Sequence, residues 1–159
     1  MAELGLASSI IAVIQLVAAV TTQAYNYGLK FKNAKEDLNE VNQELGHVGQ
    51  ALERLKILAE RTAKSGRPLD TLPALLALVV EDPLAKCNQA LMDLMTELTP
   101  ASGVRARLSQ RAKWAWRKDK VEKSLQSIVK QKVAFLELLS VDQIGQDKRY
   151  YRVAVSNRP

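Results

Sequence analysis

Sixteen positions in the first 59 residues alternate in spacing by four and three without a break. They are Leu6, Ile10, Val13, Val17, Val20, Ala24, Tyr27, Phe31, Ala34, Leu38, Val41, Leu45, Val48, Leu52, Leu55 and Ala59. All are apolar or aromatic. A 4–3 alternation keeps one stripe on one side of an α-helix, so this run predicts long helices packed side by side at shallow angles. A strand would need a period of two, which the run does not have. Gly28 is expected to mark a kink or a boundary between two helices, because glycine costs about 1 kcal/mol in a helix interior relative to alanine.

The first half of this seam lies in a segment without charge. Between Glu3 and Lys30, residues Leu4 to Leu29 carry no ionisable acid or base apart from tyrosine. As one helix the segment would be about 39 Å long, more than the ~30 Å hydrocarbon core of a bilayer. Three readings compete. A secretory signal should open on a basic region, and Met1-Ala2-Glu3 does not. A permanent span is disfavoured by Ser8, Ser9, Gln15, Thr21, Thr22, Gln23 and Asn26. The third reading is the central helix of a bundle, since a helix apolar on nearly every side belongs in a core or a membrane. Leu4, Leu6, Ile10, Ile11, Val13, Ile14, Leu16, Val17 and Val20 are the residues that would enter a membrane if this helix left the core.

From Lys32 to Arg61 the chain is heavily charged outside the seam, which predicts an amphipathic second helix. Gly46 and Gly49 lie off its seam, where they would admit a close neighbour. Ser65-Gly66-Arg67-Pro68 reads as a loop. Leu72 to Val80 reads as a short helix with Pro73 in its first turn, and Asp82-Pro83 as an N-cap followed by proline at the first helical position. Leu84, Cys87, Leu91, Leu94 and Leu98 form the seam of a third main helix. A fourth is expected from about Asp119 to Ser140, with Val121, Leu125, Ile128, Val129, Phe135, Leu136 and Leu139 buried. The fold class is thus all-α: a bundle of four main helices plus one or two short ones, over residues 1–142. Residues 143–159 show no helical pattern and some β character at Tyr150, Tyr151, Val153 and Val155. They read as a linker or C-terminal tail.

The single cysteine, Cys87, excludes an intramolecular disulfide and fits a reducing compartment. Its place on an apolar stripe predicts a buried small hydrophobe rather than a reactive thiol. One cysteine and one histidine, His47, do not make a usual zinc site. No phosphate-loop, dinucleotide or hydrolase motif is present, so nothing points to an enzyme, and no cofactor or metal is expected.

The net charge of +6 is local. Arg105, Arg107, Arg111, Lys113, Arg117, Lys118, Lys120 and Lys123 are opposed only by Asp119 and Glu122, while the rest of the chain balances. Such a patch attracts phosphate-bearing partners, and each basic residue near an anionic membrane is worth about 1 kcal/mol. A solvated face with no partner is the plain alternative. Trp114 and Trp116 within this stretch cannot share one helical face, so one is expected in the core and the other at the surface.

Three stretches together carry a family resemblance. ASSIIAVIQLVAAV followed by YNYGLKFKNAKEDLNEVNQEL, then LAKCNQALMDL, then KWAWRKDKVEKSLQSIVKQKVAFLELLSVD resemble the HeLo-like N-terminal domain of fungal STAND proteins, over about residues 2–142. The resemblance implies a cell-death effector in heterokaryon incompatibility or fungal innate immunity. Such a domain would be cytoplasmic at rest and at the plasma membrane when activated. Activation would come from a receptor or an amyloid-type signalling partner that clusters copies into a homo-oligomer. The first helix would then enter the membrane, and the eight basic residues would contact anionic lipid. Some relatives carry a glycine zipper in that helix, where this chain has only Gly5 and Gly28. The alternative is a non-enzymatic regulatory or oligomerisation module of a STAND receptor that never enters a membrane. Nucleic-acid binding ranks last, because it leaves the uncharged segment unexplained.

Overall fold

The structure, a computed structural model, describes residues 2–66, 73–99 and 114–157. Among these it is all-α, with no strand. Four long helices, α1 (Ala2–Lys30), α2 (Lys35–Ser65), α4 (Pro83–Leu98) and α5 (Trp114–Ser156), are joined by a short α3 (Pro73–Val80) and a single 3₁₀ turn (Lys32–Ala34). α1 packs against α2 and α4, and α5 packs against the same two, so α1 and α5 occupy opposite corners of a four-helix bundle. α3 rests on α5.

All sixteen seam residues from Leu6 to Ala59 are buried in one core. The stripe continues through the α1–α2 turn because Phe31 and Ala34 hold it there. The Phe31 amide donates to the Tyr27 carbonyl at 2.9 Å, and the Ala34 amide to the Phe31 carbonyl at 3.0 Å. α1 and α2 run antiparallel, bringing Val17 within 3.7 Å of where a side chain on Gly49 would begin. Gly49 therefore admits the neighbour, whereas Gly46 faces open space. Gly28 lies inside the last turn of α1 rather than at its end. α2 stops at Gly66, whose left-handed φ of 67° is the usual glycine exit from a helix.

α4 starts as its sequence predicts. The Asp82 carboxylate accepts from the Ala85 amide at 3.2 Å, and Pro83 follows at the first position. Asp82 itself sits at φ 50°, a left-handed conformation that aspartate tolerates better than most residues. Leu84, Cys87, Leu91, Leu94 and Leu98 are all buried.

Two expectations are corrected. α1 is a corner helix and not the central one, for only 33% of its apolar window is buried. Its outer face is mostly small and polar, with Ile11, Tyr25 and Leu29 also exposed on it. The second correction concerns α5, which begins at Trp114 and runs on through residues 143–156, where a non-helical tail was expected. Extending an existing helix adds a hydrogen bond per residue without a new nucleation cost. That overrides the modest β preference of Tyr150, Tyr151, Val153 and Val155. The boundary expected at residue 142 therefore falls inside a continuous helix. Within α5 the buried line is Val121, Ile128 and Phe135, seven residues apart, with Leu125 and Leu139 half-buried beside it. Leu136 lies one position off that line and is exposed.

Candidate functional site

The uncharged segment lies wholly within α1, and the helix from Gly5 to Lys30 is long and apolar enough to cross a membrane. The structure places eight of the nine candidate membrane-entering residues. Leu6, Ile10, Val13, Val17 and Val20 face the core. Ile14 and Leu16 are half-buried at its edge, and Ile11 is exposed. The side chain of Leu4 lies outside the described residues.

The outward face carries Ser8, Ser9, Ala12, Gln15, Ala18, Ala19, Thr22 and Asn26 together with the larger Ile11, Tyr25 and Leu29. Three hydroxyls on α1 are satisfied within the helix. Ser9 donates to the Gly5 carbonyl at 2.9 Å, Thr21 to Val17 at 2.8 Å and Thr22 to Ala18 at 3.0 Å. A hydroxyl bonded to its own helix costs much less in an apolar medium than one left without a partner. Ser9, Thr21 and Thr22 are therefore milder obstacles to lipid than their residue types suggest.

The two ends of α1 are held differently. Near its start, Leu6, Ser9 and Val13 border an open groove of about 580 Å³ against Leu78 of α3 and Leu84 and Asn88 of α4. Near its end the helix is tied. Gln23 Nε2 donates to the Leu98 carbonyl at 2.8 Å, and the Tyr27 ring packs 4.6 Å from Phe31 and 5.5 Å from Trp114. At the end of α4 the C-cap Thr99 serves the Met95 and Thr96 carbonyls, which leaves those of Glu97 and Leu98 in need of outside donors. Gln23 supplies one. Arg117 Nη1 supplies another, to Glu97 at 2.8 Å, and its charge suits the negative end of the helix dipole.

Of the eight basic candidates, Arg105, Arg107, Arg111 and Lys113 lie outside the described residues. The other four sit on the first turns of α5, and three of them contact the protein's own groups. Arg117 caps α4, Lys118 Nζ is 3.4 Å from Asp37 Oδ1, and Lys120 Nζ is 4.0 Å from Glu97 Oε1. Lys123 is exposed beside the α4–α5 groove that also holds Lys86 and Asp93. Trp114 is the core member of its pair, 4% exposed, with Nε1 donating to Asp37 Oδ2 at 3.1 Å. Asp37 thus holds Trp114 and Lys118 at once, joining the start of α2 to the start of α5. The side chain of Trp116 lies outside the described residues.

At this junction burial raises the Tyr27 pKa above its ordinary value, although the nearby Arg117 cation pulls the other way. Arg117 lies close enough to the Tyr27 hydroxyl to act on it as a hydrogen-bonding neighbour as well as a charge, yet neither that hydroxyl nor Arg117 Nε makes a well-aligned hydrogen bond. Burial alone pushes the Cys87 thiol up to about 12, which leaves it protonated and inert at neutral pH. On the far side of the bundle, Lys132 Nζ contacts Glu44 Oε2 at 2.8 Å, and this hydrogen bond holds the Glu44 carboxyl below its ordinary range.

Sequence reasoning missed Gln23, Asp37 and Glu97. Gln23 counts only as a polar blemish in an apolar run, and Asp37 as one charge on an amphipathic helix. Their roles depend on which helix end lies opposite, and residue spacing does not carry that information. No protein-family model, curated protein or solved structure matches this chain.

Proposed function

We propose that this chain is a membrane-targeting effector domain whose α1 leaves the bundle and enters an anionic bilayer. The observation that carries the reading is α1 itself: a helix of spanning length, uncharged from Leu4 to Leu29, with one third of its apolar window buried and the Ser9, Thr21 and Thr22 hydroxyls bonded within the helix. A helix held on a corner has two main partners to leave, α2 and α4, with the Tyr27–Trp114 ring contact to α5 as a further tie, whereas a central helix would have to open the whole bundle. The basic stretch would supply a second attraction, which a single marginal anchor requires. The resemblance to HeLo-like domains supports a cell-death role in fungal heterokaryon incompatibility or innate immunity. On that reading a receptor or an amyloid-type signal clusters the domains at the plasma membrane.

The second reading is an interaction module that keeps α1 in place. It is favoured by the Gln23–Leu98 bond and by the engagement of Arg117, Lys118 and Lys120 within the protein. Dye release from vesicles separates the two. The membrane reading predicts release from phosphatidylserine vesicles and little from neutral ones. Ala18→Arg is the discriminating variant. Ala18 is exposed near the middle of α1, so arginine there spares the folded bundle, yet a charge at the centre of a span costs about 2.5–3.5 kcal/mol. Val13→Asp would damage both states, since Val13 is in the core. Equal release by Ala18→Arg and the parent would sink insertion through α1.

A further inference from the structure

The described side chains on the distal part of α5 are all exposed. Among the described residues, Phe135 is the last fully buried residue of the helix, and Leu138 and Leu139 are the last that pack on the core. Beyond them Ser140, Val141, Arg152, Ala154 and Val155 are all exposed, Val141 at 49% and Val155 at 67%. The helix nevertheless continues to Ser156, about 30 Å past Phe135. Isolated helical segments of this length are marginal in water, so a partner would stabilise this one.

Two sequence patterns on this segment specify the partner. First, Val141, Ile144, Lys148, Tyr151 and Val155 are spaced three, four, three and four, which places them on one helical stripe. Second, the charges are segregated. Residues 137–147 contain Glu137, Asp142 and Asp147 and no basic residue, and residues 148–158 contain Lys148, Arg149, Arg152 and Arg158 and no acidic one. A helix that is acidic in one half and basic in the other is complementary to itself when two copies run antiparallel. The change of sign falls between Asp147 and Lys148. A two-fold axis there sets Val141 against the partner's Val155 and Ile144 against the partner's Tyr151. Lys148, the one polar residue of the stripe, then falls at the axis beside the partner's Asp147. A parallel pair would instead set acid against acid and base against base.

We propose that two copies of this chain associate through an antiparallel pairing of their distal α5 helices, with a two-fold axis near Asp147 and Lys148. The contact is isologous, using the same surface on both copies, and it closes at two. It leaves α1 untouched, so it holds or fails independently of the membrane reading.

Sedimentation of the full chain tests this. The parent is expected to approach twice the 17.6 kDa chain mass as concentration rises. Asp142→Lys with Asp147→Lys leaves Glu137 as the segment's one acidic residue. Lys148→Glu with Arg149→Glu and Arg152→Glu leaves Arg158 as its one basic residue. Each set should weaken self-association at least about tenfold, from the sum of several reversed surface pairs. An equimolar mixture of the two should dimerise again. Cross-linking then reads direction. Gln146→Cys lies near the axis and should cross-link readily with a short reagent. Asn157→Cys should not, its two copies being about 28 Å apart in the antiparallel pair. A parent that stays monomeric at every soluble concentration would overturn the proposal, as would a dimer insensitive to both reversals or cross-linked equally at 146 and 157.

Discussion

Gln23→Ala probes the hold on α1 most sharply. Gln23 Nε2 donates to the Leu98 carbonyl across 2.8 Å, joining two helices that are otherwise far apart in the chain. A hydrogen bond of this kind contributes about 0.5–1.5 kcal/mol net. Alanine recovers a few tenths through its higher helix propensity. The variant should therefore lose about 1 kcal/mol of bundle stability in a urea titration. If release of α1 limits membrane entry, the same loss raises the released fraction about fivefold, since 1.4 kcal/mol is a factor of ten. Initial dye release from phosphatidylserine vesicles should rise by that factor. Alanine also makes α1 less polar, so a control is needed. Gln15→Ala makes the same change on the exposed face, where no inter-helix bond is lost. Its release rate should stay within about twofold of the parent, because a lone exposed side chain adds only a few tenths of a kcal/mol. A destabilised Gln23→Ala that matches Gln15→Ala in dye release would refute the idea that this bond restrains α1.

Other consequences are open to measurement. Asp37→Ala removes the acceptor for Trp114 and the counter-charge for Lys118, and should cost about 1–2 kcal/mol in denaturant, whereas Asp37→Asn keeps an acceptor for the indole and should cost less than half as much. Tyr27→Phe deletes a buried hydroxyl that has no hydrogen-bond partner, so stability should hold or rise, and a loss above about 1 kcal/mol would show that the hydroxyl is bonded in solution. The Glu44 carboxyl has a lowered pKa in the folded chain, so its contribution is present above the ordinary value of 4.5 and is lost as pH falls through the folded value. Glu44→Gln should flatten the fall in urea midpoint below about pH 4.5, by less than about 1 kcal/mol for this partly exposed pair. With its thiol pushed up to about 12, Cys87 should react with a thiol reagent at pH 8 only as fast as the bundle opens, and faster labelling would contradict its burial.

The α1–α2 hairpin was legible residue by residue, because a buried stripe leaves an unbroken periodicity whichever helices cover it. Cys87 and the α4 cap were legible for the same reason, resting on local spacing and local hydrogen bonds. What stayed hidden was set by neighbours. The outer face of α1 could not be told from a core face, because alanine, serine and threonine suit either. Asp37 and Gln23 acquired roles only when helix ends met. The distal part of α5 carries no core stripe that spacing alone would mark as helical, and its described side chains Val141, Arg152, Ala154 and Val155 are exposed. The basic stretch read as one patch, yet three of its described members serve as ties within the bundle.

The most direct test of the membrane reading is the location of α1 itself. Ala19→Cys places a thiol on its exposed face, and the inert Cys87 leaves that position as the reactive one for an environment-sensitive fluorophore. On adding phosphatidylserine vesicles the account predicts a blue shift and quenching by quenchers attached deep in the acyl chains, with neither change on neutral vesicles. An emission that stays aqueous while the chain sediments with the vesicles would contradict it, leaving a bundle that touches membrane without opening.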